Sequence, residues 1–292
     1  MRAGPIEPAG SGSGPAVPGD PVPGDRAGHP GTAPDADPDP AEVAALAAAR
    51  AAVLERIGAA CARAGRRPAS VQLVAVSKTV AIERLRAGVA AGLDVLGENR
   101  VQEALAKAPL VPGARWHLVG PLQANKARRA VETFSVIETV DSIELAARLD
   151  RIVREVRGLP AAGPVALQSR LRVLLQVNVD RDPAKAGFDP DAVAGALPAL
   201  AGLGALELAG LMTIGRLGVT PEEGRPTFRA LRQLGIALRA GQRAIGPELS
   251  MGMSDDFEVA VEEGATIVRV GRALFGERGA VASPGVAAPG TG

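Results

Sequence analysis

Tyrosine is absent from this chain; tryptophan occurs once and phenylalanine five times in 292 residues. A mechanism that needs a tyrosine acid or base is therefore excluded, and there is no stacked-aromatic platform for nucleic acid. Cysteine is almost missing too. Cys61 stands alone, which excludes an intrachain disulfide and a CxxC centre and suits a reducing compartment. With only His29 and His117 beside it, a zinc site is not expected. No charge of one sign prevails: the formal net charge is +1, too small to mark a nucleic-acid or anionic-membrane partner. Long apolar runs are lacking as well. The longest uncharged stretch, Ala192 to Leu206, falls short of the roughly 20 residues of a membrane helix and is interrupted by Pro198 and glycines. The opening MRAGPIEPAG has no apolar core of a secretory signal. The expectation is a soluble cytoplasmic protein.

Proline and glycine, by contrast, are abundant and unevenly placed. Residues 1–40 hold 10 of the 24 prolines and 8 of the 36 glycines. Such a segment buries too little apolar surface to offset its ordering entropy, so 1–40 is expected to be disordered, and so is the similar tail at 279–292. What remains, residues 41–278, suits one large α/β domain.

Within it, short apolar runs alternate with Ala/Leu/Arg/Glu segments of helical character. A long helix is expected over 41–65, with Asp39 and Pro40 as start signals. Strands follow at 71–77, 94–98, 115–120, 135–140, 171–179, 207–214, 248–252 and 266–271, each trailed by a helix. Eight βα units in about 240 residues predict a single (β/α)8 TIM barrel. The rival, a doubly wound sheet, would carry GxGxxG after a strand or GxxxxGK[ST], and neither occurs.

A barrel places its chemistry at the C-terminal ends of its strands. Lys78 directly follows LVAVS and so belongs at the barrel mouth. Beside an apolar wall its neutral amine would be favoured, as Schiff-base formation requires; the plainer reading is an ion pair with a carboxylate such as Glu98. The ends of the last two strands, SMGMSDD and VRVGRALFG, offer Gly252, Ser254, Gly271 and Arg269 or Arg272 as a phosphate cup. The plainer reading is a helix N-cap by Ser254 or Asp255 with no ligand. Lysine and cup together suggest a phosphorylated aldehyde, with pyridoxal 5′-phosphate (PLP) the candidate cofactor. The other polar residues have modest readings: His117 as a hydrogen-bonded rim or core residue, Lys126, Arg128 and Arg129 as a solvated face, and Cys61 as a small buried hydrophobe.

AVSKT (75–79), GENRVQEALAK (97–107), WHLVGPLQANK (116–126), ETVDS (138–142), QVNVDRDPAKAGF (176–188), AGLMTI (209–214) and LSMGMSDDFEVAVEEGATIVRVGRALFGER (249–278) occur in that order. Together they resemble the YggS/PROSC family of pyridoxal-phosphate-binding homeostasis proteins. The resemblance implies a fold-type III, alanine-racemase-like barrel without the second β domain of the racemases. It implies Lys78 as the Schiff-base lysine, and Ser254, Gly271 and either Arg269 or Arg272 at the phosphate. Asn99 would lie near the cofactor, and Met212 and Met251 would line its pocket. Pro121 departs from the polar residue or histidine of many relatives, and the stretch 158–170 reads as an insertion.

By the same resemblance the protein holds PLP for intracellular cofactor homeostasis without established catalysis, with PLP-dependent apo-enzymes as candidate recipients. The alternative is a fold-type III racemase or decarboxylase. Racemases of this fold use a tyrosine opposite the lysine, and this chain has none. A cofactor-free phospho-sugar aldolase would explain the lysine and the cup but not the family-wide match. Without the second domain that racemases use to dimerise, a monomer is expected.

Overall fold

In the computed structural model, residues 37–216, 218–241 and 244–276 are described. The expected extension up to residue 36 and the expected tail at 279–292 lie outside the described residues. Helix α1 (Pro40–Arg63) begins where its residue types allow: the Asp39 carboxylate accepts the Ala41 amide at 2.9 Å, and Pro40 loses no helical hydrogen bond at the first turn. Its buried stripe of Leu46, Val53, Ile57 and Cys61 faces the rest of the fold. Cys61 is fully buried, as a small hydrophobe would be.

Eight parallel strands follow: β1 (Gln72–Val76), β2 (Val95–Glu98), β3 (Arg115–Leu118), β4 (Val136–Val140), β5 (Leu171–Gln176), β6 (Leu206–Met212), β7 (Glu248–Met253) and β8 (Ile267–Val270). Each pairs with the next, and β8 pairs with β1, closing the barrel. Between and after them run α2 (Ile82–Ala90), α3 (Val101–Lys107), α4 (Ala127–Thr133), α5 (Ile143–Val156), α6 (Val193–Ala201), α7 (Pro221–Gly241), α8 (Phe257–Glu262) and α9 (Arg272–Phe275). The (β/α)8 barrel expected from strand count and spacing is the observed fold.

Strand alternation sorts the apolar residues into two cores. The larger lies between sheet and helices and includes Ala75, Leu96, Trp116, Leu118, Ile137 and Leu175. The smaller fills the barrel: Val74, Val95, Val119, Val136, Leu174, Met212 and Ile267, with Ile214 packed against them. Truncating one of these leucines or isoleucines to alanine would cost about 2–5 kcal/mol. The stretch at 158–170 is not loose. Buried Arg154 donates to the carbonyls of Pro160 (2.7 Å) and Gly163 (3.3 Å), and Val165 within the stretch is buried.

Candidate functional site

The C-terminal end of β1 gives the first functional side chain. Ser77 is buried, while Lys78 and Thr79 are exposed. Lys78 occupies a tight turn closed by the Val80 amide donating to the Ser77 carbonyl at 3.1 Å. Thr79 in that turn has φ 64°, a left-handed conformation that a β-branched residue adopts only under strain. The apolar wall expected around Lys78 is therefore not its setting. The expected alternative pairing is also absent: Glu98 bonds to Lys107 of α3 and to Ser77, not to Lys78.

The ends of β7 and β8 form the cup. The Gly271 amide donates to Ser254 Oγ at 3.2 Å, which joins the two loops at the barrel mouth. Ser254 and Gly271 are both half-buried. Gly271 immediately precedes α9, whose leading amides have no carbonyl one turn back to reach. Asp256 accepts the Met253 amide at 2.6 Å, and burial pushes its carboxyl up. Gly252 is required by the backbone: its φ is 89°, and a Cβ there would lie 2.5 Å from that of Ala260.

The two candidate arginines part company. Arg272 is exposed and paired with Asp255 at the rim. Arg269 points into the barrel instead, because β8 alternates it onto the same face as Ile267. Its Nη1 donates to Ser250 Oγ at 2.5 Å and its Nη2 to the Thr213 carbonyl at 2.9 Å. Ser250 in turn donates to Glu138 Oε2 at 2.6 Å, and Glu138 Oε1 lies 2.7 Å from His117 Nδ1. Burial alone would raise the Glu138 carboxyl. His117, Arg269 and Ser250 outweigh it and hold the group below the ordinary glutamate range. Burial lowers the Arg269 guanidinium, against the attraction of Glu138 and Asp256. His117 is thus a hydrogen-bonded core residue, as its strand position implied.

Of the remaining expected residues, Asn99 is half-buried just after β2. Its backbone packs against Gly120 so closely that a Cβ on Gly120 would sit 2.2 Å from the Asn99 carbonyl oxygen. Met212 is fully buried in the inner core, beneath the mouth. Met251 differs from expectation. Ser250 on β7 faces inward, so Met251 alternates to the outer face, packs in the sheet–helix core and does not line the mouth. Lys78, Ser254 and Gly271 therefore gather at strand ends, with Arg269 and Met212 in the barrel below them. The Glu138–Ser250 link and the Glu98–Lys107 pair escaped the sequence reading. The first was marked only by polar residues on inward-facing strand positions.

An exposed amine, a half-buried hydroxyl and the leading amides of α9, above a buried guanidinium whose own donors are engaged, make a donor set that fits an aldehyde-bearing phosphate ester. Comparison with known proteins bears on that fit. Residues 49–279 match the family described as "Alanine racemase, N-terminal domain". A pyridoxal phosphate homeostasis protein of Synechocystis sp. is 40% identical over 214 residues, covering 72% of this chain and 93% of the relative. The chain belongs to the pyridoxal phosphate homeostasis protein family. A solved member of that family, PipY of Synechococcus elongatus with PLP bound, shares 42% identity at a TM-score of 0.66 and covers 79% of this chain and 100% of its own. The alanine racemase of Corynebacterium glutamicum, 20% identical with a TM-score of 0.59, shares the fold; the match spans 80% of this homeostasis-family chain but 61% of the racemase. Among the described residues there is one barrel and no second β domain. No helix among them is long and apolar enough to cross a membrane.

Proposed function

We propose that this chain binds PLP at the barrel mouth and serves intracellular PLP homeostasis as a carrier, passing the cofactor to apo-enzymes rather than turning over a substrate. The observation that carries this is the meeting, at one rim, of Lys78 with the joined Ser254–Gly271 pair. When bound, PLP supplies an aldehyde that an amine can capture and an electron-withdrawing ring. Lys78 offers that amine, exposed to arriving ligand. Ser254 Oγ, propped by the Gly271 amide, and the leading amides of α9 would hold the phosphate, with Gly271 leaving it room. Arg269 is stationed within the barrel opposite Glu138, so its role is to set the electrostatics of the pocket floor; its side-chain donors at Nη1 and Nη2 are engaged with Ser250 and Thr213. Arg272, at the rim, is the one of the two able to swing toward the phosphate.

The carrier reading is preferred to an enzyme because no tyrosine is present to work opposite Lys78. The single barrel is proposed to act as a monomer in the cytoplasm.

Wild type and Lys78→Ala are each incubated with PLP, scanned in the visible region, reduced with borohydride and mapped by mass spectrometry. The expected result is a coloured protein with the reduced adduct on Lys78, lost in the variant. A wild type that stays colourless and unlabelled refutes the proposal. Sedimentation before and after loading checks the monomer.

A further inference from the structure

Next to the turn that carries Lys78 lies a buried charge cluster that the carrier reading leaves without a role. Glu98, the last residue of β2, is fully buried. Its Oε1 accepts Lys107 Nζ at 2.5 Å and Ser77 Oγ at 2.9 Å, while its Oε2 has no hydrogen-bond partner. Lys107, the last residue of α3, is itself nearly buried, and its Nζ also donates to the Ser77 carbonyl at 2.8 Å. Glu103, one turn back, is the other carboxylate near that ammonium, at 4.0 Å. Ser77 is gripped from three sides, because its amide donates to the Gly97 carbonyl at 2.9 Å, and its single hydroxyl proton is shared between Glu98 Oε1 and that same carbonyl, 3.1 Å away.

A buried ion pair with an orphaned oxygen is an expensive way to fill space; well-packed apolar side chains do so at lower cost. What apolar residues cannot do is donate to a backbone carbonyl. The carbonyl gripped here is the one that accepts the Val80 amide and closes the strained turn around Lys78 and Thr79.

We propose that Lys107 and Glu98 are positioning residues for Lys78: Glu98 aims the Lys107 ammonium at the Ser77 carbonyl, and that contact locks the 77–80 turn so that the Lys78 amine is presented at the mouth. The helix after β2 thereby controls the lysine after β1. The inference rests on the reading of Lys78 as the covalent anchor.

The test uses the full chain as Lys107→Met, Lys107→Arg, Glu98→Gln and the double variant Glu98→Gln/Lys107→Met, in which no unpaired charge is left to impair folding. In PLP-free protein, amide hydrogen exchange at Val80 reads the turn directly. It is expected to speed up about tenfold or more in Lys107→Met and in the double variant, with exchange in the other strands unchanged. With PLP added, borohydride-trappable adduct at Lys78 is expected to form about 10- to 100-fold more slowly in both. Lys107→Arg, which keeps a donor, is expected to restore part of both readouts. Wild-type exchange at Val80 in Lys107→Met overturns the latch whether or not PLP binds. So does an unchanged adduct rate in a folded double variant. A wild type that forms no adduct, with Val80 still accelerated in the variants, sinks the cofactor reading and leaves the turn latch standing.

Discussion

Arg269 of β8 and Glu138 of β4 face each other inside the barrel, Nη1 to Oε2 3.9 Å, with the Ser250 hydroxyl bonded to both. Both are almost completely buried. Two charges so placed are tolerated only together, and losing one leaves the other desolvated and uncompensated. Glu138→Gln is therefore expected to destabilise the protein by about 3–5 kcal/mol in urea unfolding, and Glu138→Gln/Arg269→Met to recover part of that loss. A single variant within about 1 kcal/mol of wild type would show that the pair is not desolvated as described.

The two buried glutamates predict opposite pH behaviour. His117, Arg269 and Ser250 hold Glu138 below the usual carboxylate range despite its burial. Its contribution to stability is therefore complete above the unfolded value, near pH 4.5, and is lost as pH falls through the lowered folded value. Glu98 is shifted the other way: burial raises it, only partly offset by Lys107 and Ser77. The native state holds that proton more tightly, so stability declines as pH rises from the unfolded value through the raised one. Melting temperature against pH is the measurement. The deficit of Glu138→Gln should shrink on acidification, whereas Glu98→Gln should gain on wild type as pH rises through the Glu98 window. Parallel curves for all three proteins contradict both assignments.

The barrel was readable because each strand is an apolar run ended by a polar residue and followed by a helix-forming segment. The position of Lys78 came from the same signal, since LVAVS runs out at the rim. The family resemblance implies Met251 as a pocket residue, but alternation from Ser250 puts it on the outer face, against the helices. Arg269 was half legible. Its neighbours in VRVGR suggested a phosphate ligand, while the alternation with Ile267 pointed it inward. The pairing of Glu98 with Lys107 rather than Lys78 was not legible, because it depends on where α3 docks after β2. No periodicity encodes that.

Two glycines near the cup should respond differently to the same substitution. Gly271 has an ordinary φ of −118°, and a Cβ there would meet only Val76, at 3.4 and 3.5 Å. Gly271→Ala is expected to fold with stability within about 1 kcal/mol of wild type. Its methyl narrows the space between the ends of β8 and β1, so PLP affinity should fall about tenfold, or 1.4 kcal/mol. Gly252→Ala forces a left-handed φ of 89° and a contact 2.9 Å from the Phe257 Cα. It is expected to lose about 2–4 kcal/mol of stability. Thermal melts with PLP titrations separate the two outcomes, and equal effects in both variants would place Gly271 outside the cup.

The absence of tyrosine gives the sharpest prediction about chemistry. Racemisation needs a proton removed from one face of the bound substrate and another delivered to the opposite face, so a single lysine is not enough. Lys78 is the amine at the mouth, and His117 cannot act opposite it. Its Nδ1 is tied to Glu138, and the ring is buried in the barrel among side chains that are themselves bonded. PLP-loaded protein incubated with L-alanine in deuterated water is therefore expected to form no D-alanine. Any deuterium at the α-carbon should enter with retention, from the Lys78 side alone. NMR of the recovered alanine, together with chiral chromatography, reads both. Appearance of D-alanine at a rate that Lys78→Ala abolishes would require a second acid on the far face, and the carrier reading would then give way to an enzyme.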